Sequence, residues 1–244
     1  MSYLDKNINK IINADCLDIL KQLPDKCIDL VLTDPPYIID NHGGTNSPLA
    51  KRCAKVKENI DFLTRDFDFF NVCNELIRCC RIPNIVIFCS KQQVSRTMLY
   101  FEKKKYMVNL CVWDKTNPAP MGNNKLVNNL EYIIIARQTG AYFNNNLPIN
   151  KKRMSFVCPT GIKKFHPCEK PLELISDILA LYSDEGHLVL DCFSGSGTTA
   201  VACHNLNRRF ICIEKDPDYW ATSVKRLEEA QQQLSIFDYL EVAE

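Results

Sequence analysis

The chain has 244 residues, 46% apolar and 24% charged, the ordinary range of a globular protein, so disorder throughout is excluded. Thirty Lys and Arg against 29 Asp and Glu leave a net charge of +1, which excludes a uniformly basic nucleic-acid coat but not a binder with clustered basic residues. No apolar run approaches ~18 residues, and Met1-Ser2-Tyr3-Leu4-Asp5-Lys6 lacks the basic-then-apolar order of a secretory signal, so a cytoplasmic protein without membrane contact is expected.

Lys10–Ala14 reads as a first strand and Ile28–Thr33 as a second, followed by Asn84–Phe88, Val108–Trp113, Leu130–Ala136, His187–Leu190 and Arg209–Ile213. Apolar runs this short and this continuous fit strands buried on both faces. Helical periodicity lies between them, over 66–81 and 92–103, over 171–182 with Pro171 in the first turn, and from Asp216-Pro217 onward. The alternation predicts a single α/β domain over 1–244 with a doubly wound, mostly parallel sheet. Two long polar stretches interrupt it. Residues 38–60 form a basic loop with Lys51, Arg52, Lys55 and Lys57, and residues 137–165 an insertion with Lys151, Lys152 and Arg153. These seven cations are candidate contacts to phosphates, weighed equally against a solvated surface.

The 13 cysteines include no C-x-x-C pair. Neither a thiolate metal site nor a thioredoxin-like redox pair is expected; reduced, buried thiols are.

His187 to Thr199 runs as strand, Gly-rich turn and helix start: Asp191-Cys192-Phe193-Ser194-Gly195-Ser196-Gly197-Thr198-Thr199. Glycines let backbone approach a ligand, and the helix start offers unpaired N–H groups. Glu214, at the end of the next strand, can accept from the two hydroxyls of a ribose. The unit therefore suits a nucleoside-containing cofactor, and its spacing is not the G-x-G-x-x-G of a pyrophosphate cradle. Earlier in the chain, the strand ending at Thr33 enters Asp34-Pro35-Pro36-Tyr37. Two prolines stiffen the turn and remove two donors. The Pro35 carbonyl and the Asp34 carboxylate then offer two acceptors to an amino group with two hydrogens. Tyr37 adds a face on which a base can stack.

Asp34-Pro35-Pro36-Tyr37, the Asp191 to Thr199 loop and Glu214 together resemble the S-adenosylmethionine-dependent amino-methyltransferases of DNA. The catalytic motif precedes the cofactor loop, the permuted order of the β class. Asn13-Ala14-Asp15-Cys16-Leu17 is similar to the segment that contacts the cofactor adenine, and His166-Pro167-x-x-Lys170-Pro171 to a second cofactor-side segment. Cys212 stands where members often have Gly, two residues before Glu214.

The resemblance implies a seven-stranded, mostly parallel sheet with an antiparallel hairpin near one edge. It implies Asp34, Pro35, Pro36 and Tyr37 as the catalytic turn. It implies Asp15, Cys16, Asp34, His166, Lys170, Asp191, Phe193, Ser194, Gly195, Ser196, Gly197, Thr198, Thr199, Glu214 and Lys215 around S-adenosyl-L-methionine. The target-recognition region, which in the family follows residues such as Glu131-Tyr132, is short here and leaves little room for a separately folded reader. The implied partners are double-stranded DNA, a second copy of the chain and a cognate restriction endonuclease. Asp at the first motif position occurs mostly with adenine enzymes, so transfer to adenine N6 is the first reading. Cytosine N4 stands as the alternative, and a cofactor- and DNA-binding module without turnover is a third.

Overall fold

The computed structural model describes residues 2–36, 68–119, 126–161 and 169–241, with only the backbone described from 234 onward. Tyr37, Lys51, Arg52, Lys55, Lys57 and His166 lie outside the described residues.

Eight strands form one sheet in the order β1-β8-β7-β2-β3-β5-β4-β6. They are β1 Lys10–Asn13, β2 Leu30–Thr33, β3 Asn84–Cys89, β4 Met107–Lys115, β5 Leu130–Arg137, β6 Ser155–Cys158, β7 Leu188–Asp191 and β8 Arg209–Glu214. Neighbouring strands are parallel except where β5 lies antiparallel to both β3 and β4. The sheet thus has eight strands rather than the expected seven. The extra strand, β6, lies inside the polar 137–165 stretch and pairs along β4, with Trp113 opposite Phe156. Its Phe156 and Cys158 point inward while Ser155 and Val157 face outward.

Among the described residues seven α-helices flank the strands: α1 Tyr3–Asn7, α2 Cys16–Leu20, α3 Phe69–Cys79, α4 Lys91–Lys103, α5 Leu172–Tyr182, α6 Thr198–Asn205 and α7 Pro217–Glu241. Their starts follow capping chemistry. Asp68 caps α3 by accepting from Phe70 N and Asn71 N, so that helix begins at Phe69 rather than near 66. Asp216 accepts from Asp218 N and Tyr219 N and so caps α7. Pro171 occupies the cap position of α5 with extended ψ rather than its first turn.

β2, β3 and β7 are buried along their whole length, as continuous apolar runs require of a sheet covered on both faces. One face packs against α5, α6 and α7 through Leu174, Ile178, Val201 and Leu227. The other packs against α2, α3 and α4 through Leu20, Val72, Leu76 and Phe101. The eleven described cysteines are free and buried, Cys212 within β8 and Cys192 just after β7, as expected for thiols used as small hydrophobes. Among the described residues no helix is long and apolar enough to cross a membrane.

Candidate functional site

Four adjacent parallel strands, β1, β8, β7 and β2, end at one edge of the sheet, with a carboxylate at or just past each end: Asp15, which caps α2 after β1, Glu214, Asp191 and Asp34 in that order. The carboxyl edge of parallel strands is where open α/β sheets bind ligands.

Asp191 is 4% exposed and receives three hydrogen bonds: from the Thr33 hydroxyl at 2.9 Å, from Phe193 N at 3.1 Å and from the Thr199 hydroxyl. Burial pushes its carboxyl up to about 6 against these donors. The Thr33 hydroxyl also accepts from Cys192 N at 3.1 Å, so one buried group ties the end of β2 to the start of the Gly turn. Replacing Thr33 by Val removes both bonds, takes the acceptor from the buried Cys192 N–H and leaves Asp191 Oδ1 with Phe193 N. Thermal melting should show a loss of about 1–3 kcal/mol.

Glu214 is buried and spends both oxygens on backbone. Oε2 accepts from Gly195 N at 2.7 Å and Oε1 from Asp216 N at 2.8 Å. Burial raises its pKa, opposed by these donors. Gly195 and Gly197 adopt positive φ, +50° and +75°. Gly197 sits against α7, where an added Cβ would lie 2.9 Å from the Ser223 Cβ. Arg226 of α7 donates to the Ser196 carbonyl at 3.1 Å and to the Thr198 hydroxyl at 3.0 Å, and pairs with Glu169 at 2.9 Å. The Ser196 carbonyl and hydroxyl and the Thr198 hydroxyl therefore anchor the loop to α7.

Asp15 accepts from Leu17 N and caps α2, while Lys215 pairs with it at 3.0 Å. This holds Asp15, expected near the cofactor adenine, and Lys215, expected around the cofactor, together just past the ends of β1 and β8. The Cys16 side chain is turned into the core, and burial raises its thiol to about 12. Any contact from Cys16 to a cofactor would have to come from its backbone.

At the catalytic turn Pro35 is buried and Asp34 and Pro36 are half-buried. Gln93, 1% exposed in the first turn of α4, donates to the Pro36 carbonyl at 3.2 Å. Its own oxygen caps α4 by accepting from Ser90 N. Lys170, expected on the cofactor side, instead places its ammonium on the Asp34 carboxylate and, at 2.8 Å, on Glu131 of β5. Lys115 of β4 pairs with the other oxygen of Glu131 at 3.0 Å.

Away from this edge, Lys151 pairs with Asp177 at 2.9 Å and Lys152 donates to the Asn145 carbonyl, so both candidate phosphate contacts have local partners. Arg153 is exposed.

Sequence reasoning did not single out Thr33, Gln93, Lys115, Glu131, Glu169 or Arg226. Glu169 stood inside the His-Pro-x-x-Lys-Pro segment and Gln93 three residues after a Ser, as a capping box requires. The other four carry no local signal, because their partners lie elsewhere in the chain and meet them only in the fold.

The chain is similar to known proteins. The family model N6_N4_Mtase, described as DNA methylase, matches residues 28–225. The type II methyltransferase M2.DpnII of Streptococcus pneumoniae is 28% identical over 248 residues, covering 93% of this chain and 92% of its own. The type II methyltransferase M.HinfI of Haemophilus influenzae is 26% identical over 250 residues, covering 91% of this chain and 69% of its own. Among solved structures, the M1.HpyAVI–SAM complex superposes with a TM-score of 0.69 at 26% identity, covering 89% of this chain and 98% of that one. A cytosine-N4-specific PvuII DNA methyltransferase shares the fold at 16% identity and a TM-score of 0.65. With the family model spanning most of its length, from the catalytic turn through the Gly loop to the last helix, this chain belongs to the DNA methylase family.

Proposed function

We propose that the chain transfers the methyl group of S-adenosylmethionine to the exocyclic N6 of adenine in duplex DNA. The observation that carries this reading is the row of four carboxylates at or just past the ends of adjacent strands. Three flank the Gly turn, the fourth stands on a proline-stiffened turn, and the Thr33–Asp191 bond joins the two halves. A carboxylate-rich cradle fits a ligand with a cationic sulfonium and ribose hydroxyls and repels a polyphosphate. When bound, S-adenosylmethionine supplies an electrophilic methyl group. The chain's residues do the rest. Asp191, Phe193 and the Gly195–Gly197 turn surround the methionine and ribose moieties. Glu214 lies on the ribose side, and Asp15, Lys215 and the Cys16 backbone on the adenine side.

The amino nitrogen of adenine is a poor nucleophile because its lone pair is delocalised into the ring. Hydrogen bonds from its two hydrogens to Asp34 and the Pro35 carbonyl favour the tetrahedral nitrogen of the transition state. Gln93 on the Pro36 carbonyl fixes the turn that aims them. The base leaves the stack to reach this turn, and Tyr37 offers it a stacking face. The thiols beside the site among the described residues are not nucleophiles: burial raises Cys16 and Cys89 to about 12, far from thiolate at neutral pH.

Phosphate contacts are proposed from Lys51, Arg52, Lys55, Lys57, Lys151, Lys152 and Arg153, and His166 is proposed beside the cofactor. The relatives' type II names support a companion endonuclease and a cytoplasmic site of action. A homodimer is proposed as the working state, to be read by light scattering.

Cofactor affinity should depend on pH. The pKa of Asp191 is raised, so its stabilising contribution to the fold is fully present below its ordinary value of 3.8 and lost as pH rises through about 6. Cofactor binding has the opposite sign, because a sulfonium favours the ionised carboxylate. Calorimetric titration should show S-adenosylmethionine affinity falling about tenfold between pH 7 and pH 5.

The function itself is tested by incubating the protein with methyl-labelled S-adenosylmethionine and duplex DNA, then digesting to nucleosides. Label in N6-methyladenine is expected. Label in N4-methylcytosine would replace adenine with the alternative base, since the family model covers both amines. Bound cofactor with no label in DNA would leave the non-catalytic module.

A further inference from the structure

Lys170 is 8% exposed, and its ammonium lies between Asp34 and Glu131. It also stands 4.9 Å above the Phe88 ring. Lys115 closes the chain on the far side of Glu131 and stacks over Trp113 at 4.8 Å. Two carboxylates and two ammoniums thus form one network that starts at the catalytic turn and crosses β5 to β4. The backbone of Lys170 is fixed as well, since its neighbour Glu169 pairs with the Arg226 that holds the Ser196 carbonyl. The segment touches the catalytic turn with one residue and the anchor of the cofactor loop with the next.

Burial lowers the pKa of a lysine, but here Asp34 and Glu131 outweigh it and hold the Lys170 ammonium above its ordinary value. The converse matters for catalysis. A carboxylate in a turn with little water favours its protonated form unless a cation stands beside it. A protonated carboxyl is a donor and has lost acceptor capacity, which is the wrong state for meeting an amino group. An ionised carboxylate has about four lone-pair sites, enough to accept from an ammonium and an amine at once.

We propose that Lys170 is a positioning residue for methyl transfer, holding Asp34 as a fixed, ionised acceptor, and that Glu131 is the anchor that holds Lys170. The proposal rests on the methyltransferase reading and assigns Lys170 to the reacting amine rather than to the cofactor. The groups that face the network are Asp34 from the turn after β2, Glu131 from β5, Lys115 from β4, Cys89 from β3 and Asp191 from β7.

The test compares wild type, Lys170→Met, Lys170→Arg and Glu131→Gln on duplex DNA, with kcat, S-adenosylmethionine affinity and the pH–rate profile measured for each. Lys170→Met should lower kcat about a hundredfold, as for a misplaced reacting group, and leave cofactor affinity within about threefold. The acid limb of its profile should move to higher pH, because Asp34 has lost its cation. Lys170→Arg should recover part of kcat and return the limb toward wild type, which refilled volume alone would not do. Glu131→Gln should lower kcat less than Lys170→Met. An unchanged kcat and limb in Lys170→Met would overturn the proposal. So would a loss of cofactor affinity as large as the loss of kcat, which would return Lys170 to the cofactor. If Lys170→Met fails to fold, Glu131→Gln decides: a lowered kcat at full cofactor affinity supports the proposal, and a wild-type kcat overturns it. A wild-type protein that methylates no DNA would sink the methyltransferase reading as well, whereas an active wild type beside an equally active Lys170→Met sinks the proposal alone.

Discussion

Asp34→Ala should lower methyl transfer to DNA about a thousandfold at saturating S-adenosylmethionine, the loss typical of removing one transition-state acceptor. The reason is local. Pro35 and Pro36 contribute no N–H donors, so the acceptors of the turn stay available to the substrate amine. The carboxylate is one half of that pair and the Pro35 carbonyl the other. Cofactor affinity should stay within a few-fold of wild type, because Asp191, Glu214 and Asp15 stand on β7, β8 and α2 and keep their own partners. The variant costs stability through Lys170, which is left buried with Glu131 as its remaining carboxylate. Asp34→Asn is the companion variant. It preserves the shape and one acceptor oxygen, but the Lys170 ammonium draws that oxygen and turns the N–H₂ toward an amine that itself donates, so it should be nearly as inactive. Stopped-time assays with labelled cofactor, beside a melting curve, separate lost chemistry from lost fold. Full activity in Asp34→Ala would contradict the mechanism.

Gly197→Ala should act on the opposite half of the site, abolishing measurable cofactor binding and lowering the melting temperature by several degrees. Gly197 has φ +75°, where an L side chain costs roughly 1–2 kcal/mol. The new Cβ would also meet the Ser223 Cβ at 2.9 Å and the Ser223 carbonyl oxygen at 3.3 Å. The carbonyl belongs to helix backbone and cannot step aside cheaply. Overpacking of this kind adds about 1–3 kcal/mol. Gly197 N also donates to the Ser194 carbonyl and its carbonyl accepts from Val201 N, so any shift distorts the turn that carries Gly195 and its bond to Glu214. Calorimetry with S-adenosylmethionine and a thermal scan measure both effects. A variant that binds and melts like wild type would mean that the turn is not held as described.

The strands and the two glycine and proline motifs were legible in the sequence because their signals are local. A continuous apolar run bounded by turn residues marks a buried parallel strand whatever its neighbours are. β6 escaped because it has four residues and follows Lys151-Lys152-Arg153, so the polar surroundings hid the alternation of Phe156 and Cys158. α2 escaped because five residues are too few for a helical period, although Asp15 before Cys16 is an ordinary N-cap. The charged network was not legible at all. Lys170 and Asp34 are 136 positions apart, and Glu131 reaches them only because β5 pairs with β3 at Cys89 opposite Tyr132. Register across a sheet decides such contacts, and no spacing along the chain encodes it. Tyr37, on which the stacking of the base was argued, lies outside the described residues.

In the proposed reaction the Asp34 turn and the Glu214–Asp191 cradle act on a single crevice, so that the methyl group passes from donor to acceptor in one displacement. Cofactor carrying a methyl group made chiral with hydrogen, deuterium and tritium tests this directly. After transfer to DNA and degradation of the methylated nucleoside, the account predicts inverted configuration at the methyl carbon. Retained configuration would require two displacements through an enzyme-bound methyl group and would contradict it.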